Sequence, residues 1–316
     1  MKKVILIPII IGGALLITGS VLFGLAIANN TKNEVVTNEY DITDPYNDFN
    51  INLSTADLYF ESSNSTTTKV VCVERTKEYH DVKVVDNTLT ITRHDDLKWY
   101  ERVFSWDFSP RKVTIYLPAK AYGDLNIKSS TGNIAIPSDF SFNKLDANLS
   151  TGDVNIKSNV TTLTKIETST GRISLEEMNT NELNLKASTG DVYLKYANVT
   201  TDATVKVSTG RVNTNNFKAN NLKINASTGS ITLTDTLITT HIDIKTSTGD
   251  IKFNDSDADT IKIETDTGDV TGSLLTSKVF YVTSDTGKVN VPKSTTGGLC
   301  EIKTDTGDIK LTIKNA

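Results

Sequence analysis

Leu183-Asn184-Leu185-Lys186-Ala187-Ser188-Thr189-Gly190-Asp191-Val192-Tyr193-Leu194 is the unit from which most of the chain is built. Its apolar residues alternate on both sides of the glycine, at Leu183, Leu185 and Ala187 and again at Val192 and Leu194. That spacing belongs to strands and not to helices. The Ser-Thr-Gly-Asp between them is turn chemistry, because glycine reaches the positive φ of a sharp bend and a short polar side chain can bond the turn's amides. The corner occurs ten times, at Gly132, Gly152, Gly171, Gly190, Gly210, Gly229, Gly249, Gly268, Gly287 and Gly307, always 19 or 20 residues apart. A period of this length marks a repeat architecture.

Aligned on the glycine, the columns are strict. Thr precedes it in every copy; before that stands Ser in seven copies and Asp in the last three, Asp266, Asp285 and Asp305. Leu, Ile, Val or Phe recurs five and seven residues before the glycine and two and four after it. The column three before is mostly small, as where an interior narrows toward a corner. A variable segment closes each copy, usually with one apolar residue such as Phe140, Val160, Met178, Phe217, Leu237 or Leu275, and absorbs the one-residue change in period. It reads as the tolerant third side of a coil.

Two geometries use this pattern: a parallel β-solenoid with one copy per coil, or stacked antiparallel hairpins. The residue after the glycine favours the first. Stacked about 4.8 Å apart, Asp153, Arg172, Asp191 and Arg211 would alternate in sign along one ladder. Exposed pairs of this kind argue for register more than for stability. The expectation is an all-β, right-handed parallel solenoid of about ten rungs over 123–316, with stacked hairpins as the alternative.

Working outward, residues 31–122 keep strand periodicity without the strict repeat, and Ser54-Thr55-Ala56-Asp57 resembles a divergent corner with Ala in the glycine place. This region is expected to cap the stack, since a bare first rung would offer unpaired backbone to other strands. Within it, Trp99, Tyr100, Phe104, Trp106 and Phe108 gather five aromatics, both tryptophans included, in ten residues. They either plug the end of the core or form an exposed patch for a sugar ring or a partner.

Upstream, Val4 to Ala28 carries no charge, and 25 residues make a helix of about 37 Å, enough to cross a bilayer. Residues 1–30 are therefore expected to be a transmembrane anchor with the remainder outside the cell, Lys2 and Lys3 staying in the cytoplasm. Cleavage near Ala28, giving a secreted protein, is the alternative.

Chemistry is sparsely signalled. A formal charge of -5 with dispersed Lys and Arg gives no reason to expect nucleic-acid binding. Cys72 and Cys300 read as buried hydrophobes, and His80, His94 and His241 as scattered surface residues without metal spacing. The three Asp-Thr-Gly triplets spell an aspartic-protease motif but are variants of a structural corner. Asp266, Asp269, Asp285, Asp305 and Asp308 along one edge would suit Ca²⁺, yet turn capping accounts for each. No catalytic residue, cofactor or metal is expected.

The alternating segment from Phe49 to Phe60, Leu89-Thr90-Ile91, Val113-Thr114-Ile115-Tyr116-Leu117-Pro118 and the serial corners together resemble the bacterial β-strand-repeat "putative adhesin" family, a domain of unknown function that includes LiaG-like envelope proteins. The resemblance implies an extracytoplasmic, membrane-anchored module with surface or envelope-stress roles, and carries no catalytic residues. The expected partners are the membrane through residues 4–28, an envelope protein or cell-wall glycan, and a second copy through the C-terminal rung, whose edge ends near Ile313.

Overall fold

In a computed structural model, which describes residues 33–99 and 111–314, the chain is all-β. The expected membrane helix at 4–28 lies outside the described residues; among those described, no helix is long and apolar enough to cross a membrane. The quoted unit forms a long strand, Glu182–Thr189, a corner at Gly190, and a short strand, Val192–Lys195. Each strand pairs in parallel with its equivalents one period away. Leu183 lies beside Thr164 and Ala203, and Val192 beside Ile173 and Val212. Parallel pairing at that offset decides for the solenoid over stacked hairpins.

The inward columns form one continuous core. Leu183, Leu185, Val192 and Leu194 are each at most 1% exposed, and burying each such side chain contributes about 1.5–3 kcal/mol. The third side is closed by Phe140, Val160, Met178 and Phe217, all buried. Leu237 departs from expectation at 42% exposure. Thr236 takes the inward place of Phe217, bonded at 2.6 Å to the Thr214 hydroxyl, and Ile238 is buried instead. Six residues after the glycine, Glu177, Tyr196, Asn216, Asp235 and Asp255 form a second corner, with φ of 45–53°. Their left-handed backbone is shared by Asn and Asp more readily than by other side chains.

At the first corner, every glycine amide except that of Gly287, on the outermost level, donates to the threonine carbonyl of the next level, as Gly190 N does to Thr209 O at 2.9 Å. Gly210 shows why the residue is needed: φ is +148°, and a Cβ there would collide with the Gly190 carbonyl oxygen. The Ser or Asp expected to cap the turn is exposed in every copy but Ser188, which is half-buried, and the residue after the glycine does this instead. Asp153 Oδ1 accepts from Arg172 N at 2.7 Å, Asp191 Oδ1 from Arg211 N at 2.8 Å and Asp269 Oδ1 from Asp308 N at 2.8 Å. The charge ladder is thus mainly side chain to backbone. Within it Asp191 and Arg211 are ion-paired at 2.8 Å, while Arg172 lies over the Tyr193 ring.

The N-terminal region supplies levels as well as a cap. Its strands are β1 (Val35–Ile42), β2 (Asp48–Leu53), β3 (Asp57–Ser63), β4 (Thr68–Arg75), β5 (Glu78–Val85), β6 (Thr88–Asp95) and β7 (Lys112–Pro118). β2 lies in parallel between β6 and Ala121–Thr131, and β3 between β7 and Ile134–Ile136. Ser54-Thr55-Ala56-Asp57 is the corner of that level: Thr131 N donates to Ser54 O, and Asp57 Oδ1 accepts from Asn133 N at 2.7 Å. The outermost level, β6 and β7, is covered by antiparallel strands, β5 on β6, β4 on β7 and β1 on β4.

The far end overturns an expectation. Gly268 N donates to Thr306 O and Gly307 N to Thr286 O, so the spatial order is Gly268, Gly307, Gly287. The strand Gly298–Thr306 lies between Thr260–Thr267 and Lys278–Thr286. The last rung in sequence is therefore interior, and the outermost level is Lys278–Thr286 with Val289–Asn290. A buried staple accompanies the exchange. Asp257 Oδ2 accepts from the amides of Leu275 and Thr276, and Oδ1 pairs with Lys278 Nζ at 2.7 Å, the lysine side chain being 2% exposed. The returning chain then passes Ser277 and Asp259 closely at Gly297 and Gly298.

Candidate functional site

The aromatic segment joins β6 to β7 where other levels have their corner. Its two ends are clamped by one carboxylate. Glu78, 7% exposed, accepts from Arg93 Nη2 at 2.8 Å on the β6 side and from Arg111 Nη2 at 2.7 Å on the β7 side. Arg93 also meets Asp95 at 2.9 Å, and Arg111 donates to the Thr55 hydroxyl of the neighbouring corner at 2.8 Å. Beside the stem the rings of Tyr79 and His94 lie 4.9 Å apart, and Lys112 covers Tyr59. Two arginines on one nearly buried acid make a rigid stem.

Trp99, just beyond β6, is 69% exposed, so it does not plug the core; Tyr100, Phe104, Trp106 and Phe108 lie outside the described residues. The end of the repeat core is filled by other aromatics. Phe49, Phe60, Tyr122 and Phe142 pack with ring centroids 5.3–6.1 Å apart, and Tyr46 and Phe140 join them. These residues are scattered in sequence, so only the exchange of levels at this end gathers them.

The ten corner glycines are mechanical, and the acidic edge is engaged: Asp269 and Asp308 each accept a neighbouring amide. Cys300 is buried in the core, as expected. His94 and His241 are exposed, as expected, but His80 is not: it is 4% exposed and lies in the cap beside Cys72 and Glu74. One donor atom from each of the three comes within 4.8 Å of the others. Glu74 Oε2 accepts from His80 N and pairs with His80 Nδ1, both at 2.7 Å, while Oε1 accepts from Asn38 Nδ2 at 2.6 Å. Burial, reinforced by the Glu74 charge, pushes the Cys72 thiol and the Tyr40 hydroxyl each up to about 12.

Sequence reasoning missed this group because β4 and β5 pair only at Arg75–Glu78 before β4 runs along β7 and β5 along β6. The available signal was the in-phase placing of Cys72 and Glu74 on one strand face.

The Toastrack DUF4097 family model matches residues 46–234 and 196–316. No curated protein matches the chain. A Parabacteroides merdae protein described as a "putative adhesin" shares 18% identity and superposes with a TM-score of 0.52, over 76% of this chain and 96% of that one. A Bacteroides fragilis "putative adhesin" also shares 18% identity, with a TM-score of 0.45 over 88% of this chain and 97% of that one. A Parabacteroides distasonis "putative lipid binding protein" shares 18%, with a TM-score of 0.45 over 75% and 94%. At these identities the likeness is one of fold. Matched by the family model along both the capped start and the ten-corner stack, the chain belongs to the Toastrack DUF4097 family of β-strand-repeat proteins.

Proposed function

We propose that the chain is a non-enzymatic, extracytoplasmic scaffold, anchored through residues 4–28, whose capped end contacts an envelope protein or a cell-wall glycan, with a role in envelope stress. The observation that carries this reading is an exposed tryptophan on a stem clamped by Glu78, Arg93 and Arg111, at the one level where the corner is replaced by a longer connection. An aromatic face held on a rigid base binds at low entropic cost, and stacking on sugar rings or apolar side chains needs such a face. The description of the Parabacteroides merdae neighbour as a "putative adhesin" is in keeping with a contact role. From residue 28 to Val35 the tether spans at most about 25 Å, so an anchor at 4–28 keeps the capped end near the membrane and projects the other end outward.

The test uses the full-length protein in detergent, with purified wall sacculi, a glycan panel and an envelope extract as probes. Trp99→Ala and Trp106→Ala are expected to lower capture at least tenfold with an unchanged melting temperature. Capture undiminished in both variants would sink this site.

A further inference from the structure

We propose that Cys72, Glu74 and His80 form a closed structural site for one divalent transition-metal ion of the zinc type, tying together the strands of the N-terminal cap. The three residues carry the sulfur, oxygen and nitrogen donors that zinc takes in proteins, and one donor atom from each already lies within 4.8 Å of the other two. All are buried, at 0%, 1% and 4% exposure. A chance surface cluster would not share that burial.

The buried Glu74–His80 pair accounts for two of the three groups and leaves the third unexplained. Among the described residues, the Cys72 thiol has no hydrogen-bond partner, although it sits beside a carboxylate and an imidazole. A buried apolar residue would fill that place without facing a polar pair. A metal ion gives the sulfur a role, and the charges then balance: thiolate and carboxylate contribute two negative charges, the neutral imidazole none, and a divalent cation offsets them. Binding releases the thiol proton to solvent.

Asn38 completes the set. Its carboxamide already touches Glu74, and a turn of that amide presents Oδ1 as a fourth, oxygen ligand. The four residues come from β1, β4 and β5, and β4 meets β5 only at Arg75–Glu78. The ion therefore ties β4 to β5 at the covered end of the stack, across a junction where those two strands pair only at Arg75–Glu78.

The test uses full-length protein stripped with chelator and titrated with Co²⁺ and then Zn²⁺. One equivalent of Co²⁺ is expected to give a thiolate-to-cobalt charge-transfer band and the visible absorption of a tetrahedral ion, both abolished by one equivalent of Zn²⁺. Cys72→Ser should lose the charge-transfer band, and Cys300→Ser, which alters the only other thiol, should keep it. The melting temperature should rise with Zn²⁺ in the parent chain and stay flat in Cys72→Ser. No charge-transfer band in the parent, or a band lost in Cys300→Ser and kept in Cys72→Ser, overturns the proposal even if every variant folds. Glycan or envelope capture is not part of the readout, so the site at Trp99 can fail without affecting this result.

Discussion

At the covered end of the stack the outermost level keeps Leu89, Ile91, Val113 and Ile115 at 0% exposure, whereas at the other end Phe280 and Val282 stand in the equivalent columns only half buried. The difference lies in what pairs with each edge. β6 and β7 carry antiparallel strands outside them, which use the backbone groups that a further level would otherwise use. Among the described residues, Lys278–Thr286 pairs on one side alone, and this level exposes Tyr281 at 65% and Val289 at 46%. A solenoid level is half a core: it becomes dry when something covers it, whatever its own sequence.

The largest effect is expected inside the stack. Gly210→Ala should lower the unfolding free energy by about 3 kcal/mol or more, through backbone strain and the collision with the Gly190 carbonyl. Ala56→Gly should cost less than about 1 kcal/mol, because Ala56 is not among the described residues of positive φ, so its corner makes no demand for glycine. Equal costs in denaturant unfolding would mean that the positive φ and the Gly190 carbonyl are not what demand glycine at Gly210.

Next come the two end levels. Ile91→Ala is expected to cost about 3 kcal/mol, as in a closed core, and Val282→Ala about 1 kcal/mol. Similar values would show that the far end is also covered in solution. Glu78→Gln should cost about 2 kcal/mol by weakening the bonds to Arg93 and Arg111, and should speed proteolysis between residues 96 and 111 ahead of the rest of the chain. Unchanged cleavage there would remove the stem's role.

Smaller effects follow on the sides and at the open edge. Lys195 and Lys157, at 2.8 and 2.9 Å, hold the Glu176 carboxyl down to about 2. Its folded-state pKa lies below the unfolded one, so its contribution is full above the ordinary carboxylate range and disappears as pH falls toward 2. Glu176→Gln should be slightly less stable than the parent at neutral pH and equal to it near pH 2; a difference that persists in acid would assign the effect to packing. Val289→Lys should change stability by less than about 0.5 kcal/mol while reducing concentration-dependent light scattering. A parent chain that stays monomeric at every concentration would remove the open edge as a contact between copies.

Much of this architecture could be read from single residues. Leu183, Leu185, Val192 and Leu194 announced an inward face, Gly190 a corner and Ala56 a divergent one, because each is a local response to strand period or to backbone angle. The second corner was fainter: Asn216, Asp235 and Asp255 mark it, but Glu177 and Tyr196 hide it. The aromatic segment stood out by composition, yet its stem did not, since Glu78, Arg93 and Arg111 meet only after three strands are placed. His80 read as a surface residue because nothing local shows that β5 turns it inward against β4.

The order of the levels was beyond any local reading. All levels present the same columns, so parallel pairing is nearly as good between any two of them, and the repeat itself is silent about which neighbour each takes. Residues a few positions apart set the coil, its period, its corners and its inward columns. Tertiary structure decided that β2 and β3 slip inside β6 and β7, that the Gly307 level slips inside the Gly287 level, and that Cys72, Glu74 and His80 meet. Those outcomes depend on contacts such as Asp257 with Lys278 and Glu78 with Arg111, which link segments whose separation no periodic pattern encodes.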